Sequence, residues 1–301
     1  CFMKISSDQV SAKVRDAFDF NVDKFPLSGP DGMSTPLYGL FRDDTSKLVG
    51  SSSVTKRYVP HQTDDVLALV DAAAEAFDGE IDVKCHFRDG HYVNIMPTRA
   101  DRLKVFGETD NVFPRIVVNA GYDGKAFRAT MGYYRDLCRN LAMLRQVEGT
   151  TVAIRHTSSL RGKMDDLIAT FNTLKESWGS LSETIKHMQN RNVQMDDFLV
   201  AVYGEPTSQA SNTVLKNHKG RTTAIFKRLR DERFRSGRGD IAADFKVSAW
   251  EAYNAVQGFA QHDMGFRGRD NNSVSGFEKI LRASNDQHVR KAESLVLDLA
   301  V

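Results

Sequence analysis

The sequence predicts an α+β fold: an antiparallel sheet of β-hairpins with packed helices, followed by a mostly helical C-terminal part. Two observations favour this class. Segments with alternating apolar and polar residues, separated by turn signals, fill the first half of the chain. After Tyr133 the apolar residues recur in steps of three and four, which is typical of amphipathic helices. We therefore expect an α+β core domain over residues 1–190 and a helical region over residues 191–301 packed on it.

The hairpins come first along the chain. Residues 81–88 alternate strictly, and Asp89-Gly90 is a strong signal for a tight hairpin turn. Hairpins adjacent in sequence predict a largely antiparallel sheet. The three candidate hairpins cover residues 36–60, with a turn near residues 43–47, residues 81–96, and residues 115–130, with a turn at residues 122–125.

Helices account for most of the remaining sequence. An Ala-, Leu- and Val-rich helix begins after the acidic cap Thr63-Asp64-Asp65 and ends before Gly79. A long amphipathic helix is predicted over residues 160–190, preceded by a short strand at residues 151–155. The other predicted helices cover residues 134–146, 195–203, 214–235, 247–261 and 274–299.

Composition limits the classes of protein to consider. Of the 301 residues 41% are hydrophobic and 27% charged, as in ordinary globular proteins. No apolar run approaches the roughly 18 residues of a membrane span, and three cysteines (Cys1, Cys85 and Cys138) are too few for a disulfide framework. We expect a soluble, cytoplasmic protein without a membrane partner. The net charge of only +2 means that a nucleic-acid surface requires local segregation of charge.

The sequence carries no recognised catalytic constellation, metal site or cofactor motif. Gly124-Lys125 and Gly162-Lys163 lack the spacing of a phosphate-binding loop. His86 and His91 flank a hairpin turn, but zinc normally requires three or four ligands. Cys1 leaves one enzymatic alternative open, an N-terminal-nucleophile amidohydrolase, although Met3 is an alternative natural start.

Basic residues carry the stronger functional signal. They decorate the predicted hairpins, with Tyr122 and Phe127 interleaved, and cations on phosphates combined with aromatic rings on bases are a sequence-tolerant way to hold a single strand. An ordinary solvated strand face is the alternative. A second cluster, residues 216–238, contains nine basic residues against Asp231 and Glu232, which can pair locally with Arg228 and Arg235. The basic residues of the hairpin region are Lys56, Arg57, Arg99, Arg102, Lys104, Arg115, Lys125 and Arg128.

Several segments together resemble the phage- and plasmid-borne family known as domain of unknown function 932. They run in the family's order, and one departs from its pattern: Leu137-Cys138-Arg139-Asn140 stands where the family has valine, cysteine, glutamine and asparagine. The strand-hairpin-helix order is also similar to that of phage single-strand annealing recombinases. The segments that carry the family resemblance are residues 36–38, 57–60, 136–141, 154–157, 249–256 and 277–299.

The resemblance implies a function. It implies a non-catalytic protein that binds single-stranded DNA in phage or plasmid recombination and replication, as a homo-oligomer for which a ring is one form. A structural or virion-associated protein without DNA affinity is the main alternative. Cys138 and His156 are expected to be packing or hydrogen-bonding residues. The groove implied for DNA is lined by Lys56, Arg57, Arg115, Lys125, Arg128, Arg135, Arg139, Arg155 and Lys163, and Arg99 is a further candidate contact.

Overall fold

The structure is a computed structural model that confirms the α+β class. It describes residues 7–17, 19–50, 53–77, 81–87, 90–97, 102–106, 109–122, 127–142, 151–154, 160–265 and 276–299. The chain divides into two compact units. Unit 1 comprises Cys1–Asp101, Pro114–Gly132 and Val147–Trp178, and unit 2 comprises Arg102–Phe113, Tyr133–Gln146 and Gly179–Val301.

The described part of unit 1 contains two antiparallel sheets, two complete helices and the start of a third. The complete helices are α1 (Ser7–Ala17) and α2 (Thr63–Ala76). The smaller sheet has the order β1 (Val22–Ser28), β2 (Ser34–Arg42) and β3 (Val54–Thr55). The larger sheet has the order β10 (Thr151–Ile154), β8 (Phe127–Arg135), β7 (Asp110–Gly121), β5 (Gly90–Pro97) and β4 (Ile81–Phe87), where β7 and β8 also contribute residues to unit 2.

The strands of the two predicted hairpins in the larger sheet pair as expected, while their turns, at residues 88–89 and 123–126, lie outside the described residues. β4 and β5 pair from Ile81↔Pro97 to Phe87↔His91, as the alternation and the Asp-Gly signal indicated. The short strand predicted near residue 151 also forms and pairs with β8. Two elements near the N-terminus, α1 and β1, were not among the predictions.

Helix α2 covers the core of unit 1. Its buried residues Val66, Leu69, Val70 and Ala73 recur at helical spacing. A capping box at its start pairs the Gln62 side chain and backbone with the third residue of the helix. This reciprocal bonding satisfies free amides and fixes where the helix begins.

Unit 2 is mainly helical. Its centre is α6 (Ala249–Gly258), in which all ten residues are buried. Its described short strands form three pairings. β6 (Leu103–Phe106) pairs with the start of β7, and β9 (Asn140–Ala142) pairs with the end of β8. β11 (Asn192–Gln194) pairs with β12 (Lys246–Ser248). The other helices are α3 (Leu160–Asn190, which begins in unit 1), α4 (Met195–Tyr203), α5 (Asn212–Arg235), α7 (Gly276–Asn285) and α8 (Gln287–Asp298).

Most helix predictions in this half are confirmed, and the bounds of α3 and α4 agree with the sequence periodicity. The predicted helix over residues 274–299 is instead two helices, because Asp286 adopts an extended backbone and caps α8 through the amides of His288 and Val289. Within the described ranges, no helix combines the length and the apolar character that a bilayer span requires.

The helix predicted over residues 134–146 is wrong for residues 134–142, and residues 143–146 lie outside the described part of the chain. Tyr133, Tyr134 and Arg135 continue β8, and the chain then turns back to form β9. The physical reason is a buried ionic cluster: the Arg135 guanidinium donates to both carboxylate oxygens of Asp110, at 2.8 and 2.7 Å, and to Glu232 at 2.6 Å. These three side chains are at most 2% exposed, so long-range charge pairing outweighs the local helical pattern.

Candidate nucleic-acid interface

The basic turn of unit 1 stands beside an aromatic anchor centred on Tyr122. The Tyr122 ring stacks on the His61 imidazole with centroids 4.3 Å apart, and its hydroxyl donates to the His61 carbonyl at 3.2 Å. Phe127 meets the His61 ring edge-on at 5.8 Å. Burial raises the pKa of Tyr122 well above its usual value, so its hydroxyl remains a neutral donor. The loop that ends at His61 is thereby fixed to the ends of β7 and β8.

Two further contacts tie the same loop to β7. The Tyr58 hydroxyl donates to the Gly121 carbonyl at 3.2 Å. Gly50 has φ +76°, and a Cβ atom there would lie 3.0 Å from the Tyr122 carbonyl oxygen. Only glycine suits this backbone conformation and this close approach without strain. Residues on both sides of β3 therefore converge on Tyr122.

Lys56 and Arg57 occupy the turn between β3 and Tyr58. Both side chains are exposed, and neither forms an ion pair with any residue in the described part of the chain. Lys24 of β1 stabilises this turn, because its ammonium donates hydrogen bonds to the carbonyls of Lys56 (2.6 Å) and Tyr58 (2.8 Å). The two cations thus project from a turn whose backbone is held at both ends.

Arg128 follows the anchor residue Phe127 on β8. Residues 127 and 129–133 are buried, whereas Arg128 points to the opposite side and is exposed. It pairs in register with Ala153 of β10, which is also exposed. Phe127 contacts His61, so the start of β8 packs against the loop that contains Lys56 and Arg57, while the Arg128 side chain lies on the other face of β8. Lys56 and Arg128 are more than 70 positions apart in the sequence.

Other residues predicted to line the groove have different positions. Arg115 is 2% exposed and donates to the Pro114 carbonyl, and Arg135 lies in the buried ionic cluster. Neither guanidinium is accessible to a phosphate, so both are removed from the candidate surface. Arg139 is exposed in unit 2, in a turn with φ +57°. Arg99, Lys125, Arg155 and the side chain of Lys163 lie outside the described residues.

The aromatic part of the prediction also changes. Tyr122 and Phe127 were expected to stack on bases, but both side chains are fully buried in unit 1. They position the basic loop and are not accessible for stacking on the bases of a nucleic-acid strand. Sequence alone does not separate these roles, because an aromatic residue in an alternating strand occurs on either face.

The second basic cluster, on α5, is largely neutralised within unit 2. Lys227 pairs with Asp231 at 2.7 Å, so the expected pairing of Asp231 with Arg228 is wrong. Glu232 pairs with Arg135, so its expected local pairing on α5 is wrong as well. The guanidinium of Arg235 donates to the carbonyls of Asp231 and Leu137. The remaining ion pairs join Arg228 to Asp263, Arg230 to Asp240, and Arg233 and Arg238 to Glu251.

The described residues offer little for nucleophilic or metal chemistry. Burial raises the pKa of Cys138 to about 12, which keeps its thiol protonated and unreactive near neutral pH. No group of three or more His, Cys, Asp or Glu side chains within the described residues could hold a metal ion. Cys1 and His156, and the side chains of His86 and His91, lie outside the described part.

Lys24 is a residue of the candidate interface that sequence reasoning missed. Its signal was present, because Val22, Lys24 and Phe25 belong to a short segment that ends at a Pro-Asp-Gly turn and so is consistent with a strand. Recognising β1 would have placed Lys24 beside the chain that follows β3.

Comparison with known proteins gives one match. A family model described as domain of unknown function (DUF932) matches residues 51–296, which is most of the chain. No curated protein and no solved structure matches.

Proposed function

The chain belongs to the DUF932 family, and on that premise we propose that it binds single-stranded nucleic acid without catalysing a reaction on it. The proposal is supported by three exposed cations, Lys56, Arg57 and Arg128, on two segments that both contact the Tyr122 anchor or its neighbours. We propose that they contact one nucleic-acid strand, and we call this set of residues the anchored cation surface. Its three cations are exposed and unpaired among the described residues, and they stand on a backbone fixed by the Tyr122 anchor.

Exposed cations without an ion-pair partner are suited to binding phosphates. Cations already engaged in internal ion pairs, such as those of α5, have less to gain from a phosphate than unpaired ones. Since the aromatic rings of the anchor are buried, the surface contacts the backbone of a strand and leaves its base edges free to pair. This mode of binding suits strand annealing in phage or plasmid recombination and replication, in the cytoplasm of the host cell.

The mechanism predicts a definite salt dependence. For single strands the slope of log K against log salt is about −0.7 for each phosphate contact. Three cations therefore contribute a slope of about −2. Affinity should vary little with base sequence, because the proposed contacts are made to phosphates.

The test replaces Lys56, Arg57 and Arg128 together by alanine and measures fluorescence anisotropy of labelled single-stranded and duplex oligonucleotides at several salt concentrations. We expect weaker binding and a salt slope that is smaller in magnitude by about 2. Circular dichroism verifies that the variant is folded.

A matched control removes the same number of charges elsewhere. Lys84, Arg191 and Lys291 are exposed and unpaired among the described residues, and their triple alanine variant should bind like the wild type. If the two triple variants lose affinity equally, binding reflects net charge and the anchored cation surface is not the site. If the wild type binds neither oligonucleotide, a structural role in the particle of a mobile element replaces the proposal.

A further inference from the structure

One face of the β1–β2 sheet is apolar and exposed. In the register Phe25 pairs with Gly39 and Asp23 with Phe41, so these residues share a face. The apolar face consists of Phe25, Leu27, Leu37, Phe41 and Leu48, of which Phe25, Leu37 and Leu48 are 52%, 41% and 53% exposed. The opposite face carries Val22 and Leu40, which are buried in unit 1. The sheet therefore buries one side and leaves an apolar side in water.

The apolar face is preformed. A Cβ atom at Gly39 would lie 2.7 Å from the Phe41 ring, 3.0 Å from Leu27 and 3.2 Å from Leu48, so the missing side chain is what lets these groups meet. Phe25 packs edge-on against Phe41 with centroids 5.8 Å apart. A cavity of about 360 Å3 lies beside the two rings. Exposed apolar groups gathered in this way are typical of an interaction surface.

The rim of this face is acidic. Asp23 and Asp43 line the cavity beside the two rings, and both are exposed. Arg42 also lines the cavity, but its guanidinium forms an ion pair with Asp44 at 2.6 Å, which leaves Asp23 and Asp43 as the excess charge. Apolar groups surrounded by carboxylates are complementary to a segment that is apolar and basic.

Unit 2 presents a segment with that character. The first residue of α5 to be buried is Ile225, so none of residues 212–220, which we call the α5 arm, is buried. The arm is about 13 Å long at 1.5 Å per residue. It exposes Val214 and Leu215, at 49% and 45%, next to Lys216 and Lys219, and α5 contains no acidic residue before Asp231.

The arm has the pattern of a docking helix. Val214 lies on the same side of α5 as the buried Ile225, since eleven residues are close to three helical turns. Val214 is thus an exposed apolar position on the side that unit 2 covers further along α5, separated from Ile225 by the polar residues His218, Arg221 and Thr222. A short helical segment without tertiary packing is marginal in water, and a partner that covers the arm would stabilise it.

We propose that the α5 arm of one copy docks on the apolar face of a second copy of this chain. Val214 and Leu215 pack against the Phe25–Leu48 region, and Lys216 and Lys219 approach the carboxylates of the rim. The two surfaces are different, so the contact is head-to-tail, and repeating it generates a ring or a filament rather than a closed two-fold dimer. This interface is independent of nucleic-acid binding.

The test is a sedimentation-velocity concentration series without nucleic acid, on the wild type and two double variants. Phe25→Arg with Leu48→Arg places like charge opposite the arm, and Val214→Glu with Leu215→Glu does the same opposite the rim. We expect the wild type to associate beyond a dimer and each variant to lose at least about thirtyfold in association constant. All four positions are substantially exposed, so both variants should fold, which circular dichroism verifies.

Mixing the two variants distinguishes the geometry. Each retains the surface that the other lacks, so an equimolar mixture should form a one-to-one dimer and nothing larger. Phe234, 81% exposed near the other end of α5, provides the matched control, and Phe234→Glu should assemble like the wild type. A monomeric wild type, an arm variant that still assembles, or a mixture that stays monomeric would each overturn the proposal.

Discussion

The ionic cluster of Arg135 with Asp110 and Glu232 allows a quantitative prediction. Replacing Arg135 by Met keeps much of the side-chain volume but removes the guanidinium. The carboxylates of Asp110 and Glu232, which are at most 2% exposed, then lose the cation that both of them contact. Removing one partner of a buried ion pair costs about 3–5 kcal/mol. Because two acids lose their partner here, we expect the free energy of unfolding to fall by about 5 kcal/mol, the upper end of that range.

Glu232→Gln should cost less than Arg135→Met. Arg135 keeps its bidentate contact with Asp110 in this variant, and the Gln carbonyl still accepts a hydrogen bond from the guanidinium. A loss of about 1–3 kcal/mol is expected for the missing charge. The control is Arg128→Met on the same strand, which is exposed and should change stability by less than about 0.5 kcal/mol.

The loss in Arg135→Met should also depend on pH. Burial raises the pKa of a carboxyl group that has no cation, so the folded variant binds more protons than its unfolded state. Its stability relative to the wild type therefore rises as pH falls from 7.5 towards 5, and the deficit is largest at the higher pH. In the wild type, burial lowers the pKa of Arg135, but Cys138, Glu232 and Asp110 together raise it well above its usual value, so the guanidinium stays charged throughout this range.

Urea unfolding at pH 7.5 and 5.5, followed by circular dichroism and tryptophan fluorescence, measures these differences. Trp250 is a suitable probe because its ring centroid lies 5.8 Å from the Arg135 guanidinium. An Arg135→Met variant within about 1 kcal/mol of the Arg128→Met control would refute the reasoning, since breaking a buried pair costs several times that amount. A deficit that is the same at both pH values would contradict the expected pH dependence.

Further predictions concern backbone strain and thiol reactivity. Gly50→Ala should destabilise the protein by more than about 1 kcal/mol in urea unfolding, because φ is +76° and the new Cβ atom meets the Tyr122 carbonyl. The control is Gly179→Ala in α3, where a Cβ atom has open space, and it should be neutral or slightly stabilising. Burial raises the pKa of Cys85 and Cys138 to about 12, so neither thiol should be alkylated at pH 8 in the native protein, as read by peptide mass spectrometry. Rapid native labelling of Cys138 would contradict its placement, whereas both thiols should react in urea.

Local sequence patterns determined much of the secondary structure. The alternation from residue 81 and the Asp-Gly signal predicted the β4–β5 hairpin, and apolar steps of three and four predicted α3 over Leu160–Asn190. These elements were predictable because the periodicity reflects which face is buried, and that face follows from backbone geometry alone. The order of the motifs along the chain was likewise sufficient to identify the family.

The sequence could not predict which basic residues are free. Arg128 and Arg135 lie on one strand and look alike in sequence, yet one is exposed and the other is fully buried with two carboxylates. The difference arises from Asp110 and Glu232, which are 25 and 97 positions from Arg135. Partners so distant in the chain meet only when the fold brings them together. The same ion pairs explain why Arg135 lies at the end of β8 and not in the predicted helix.

Tertiary structure also decided the candidate surfaces. Sequence identified Lys56, Arg57 and Arg128 as candidates, but the contacts of Tyr122 brought their segments together, and burial changed Tyr122 and Phe127 from base-stacking residues to anchors. Charge and periodicity are properties of single residues and short segments, which a sequence records directly. Exposure and ion pairing depend on every element that packs nearby, so only the folded chain determines them.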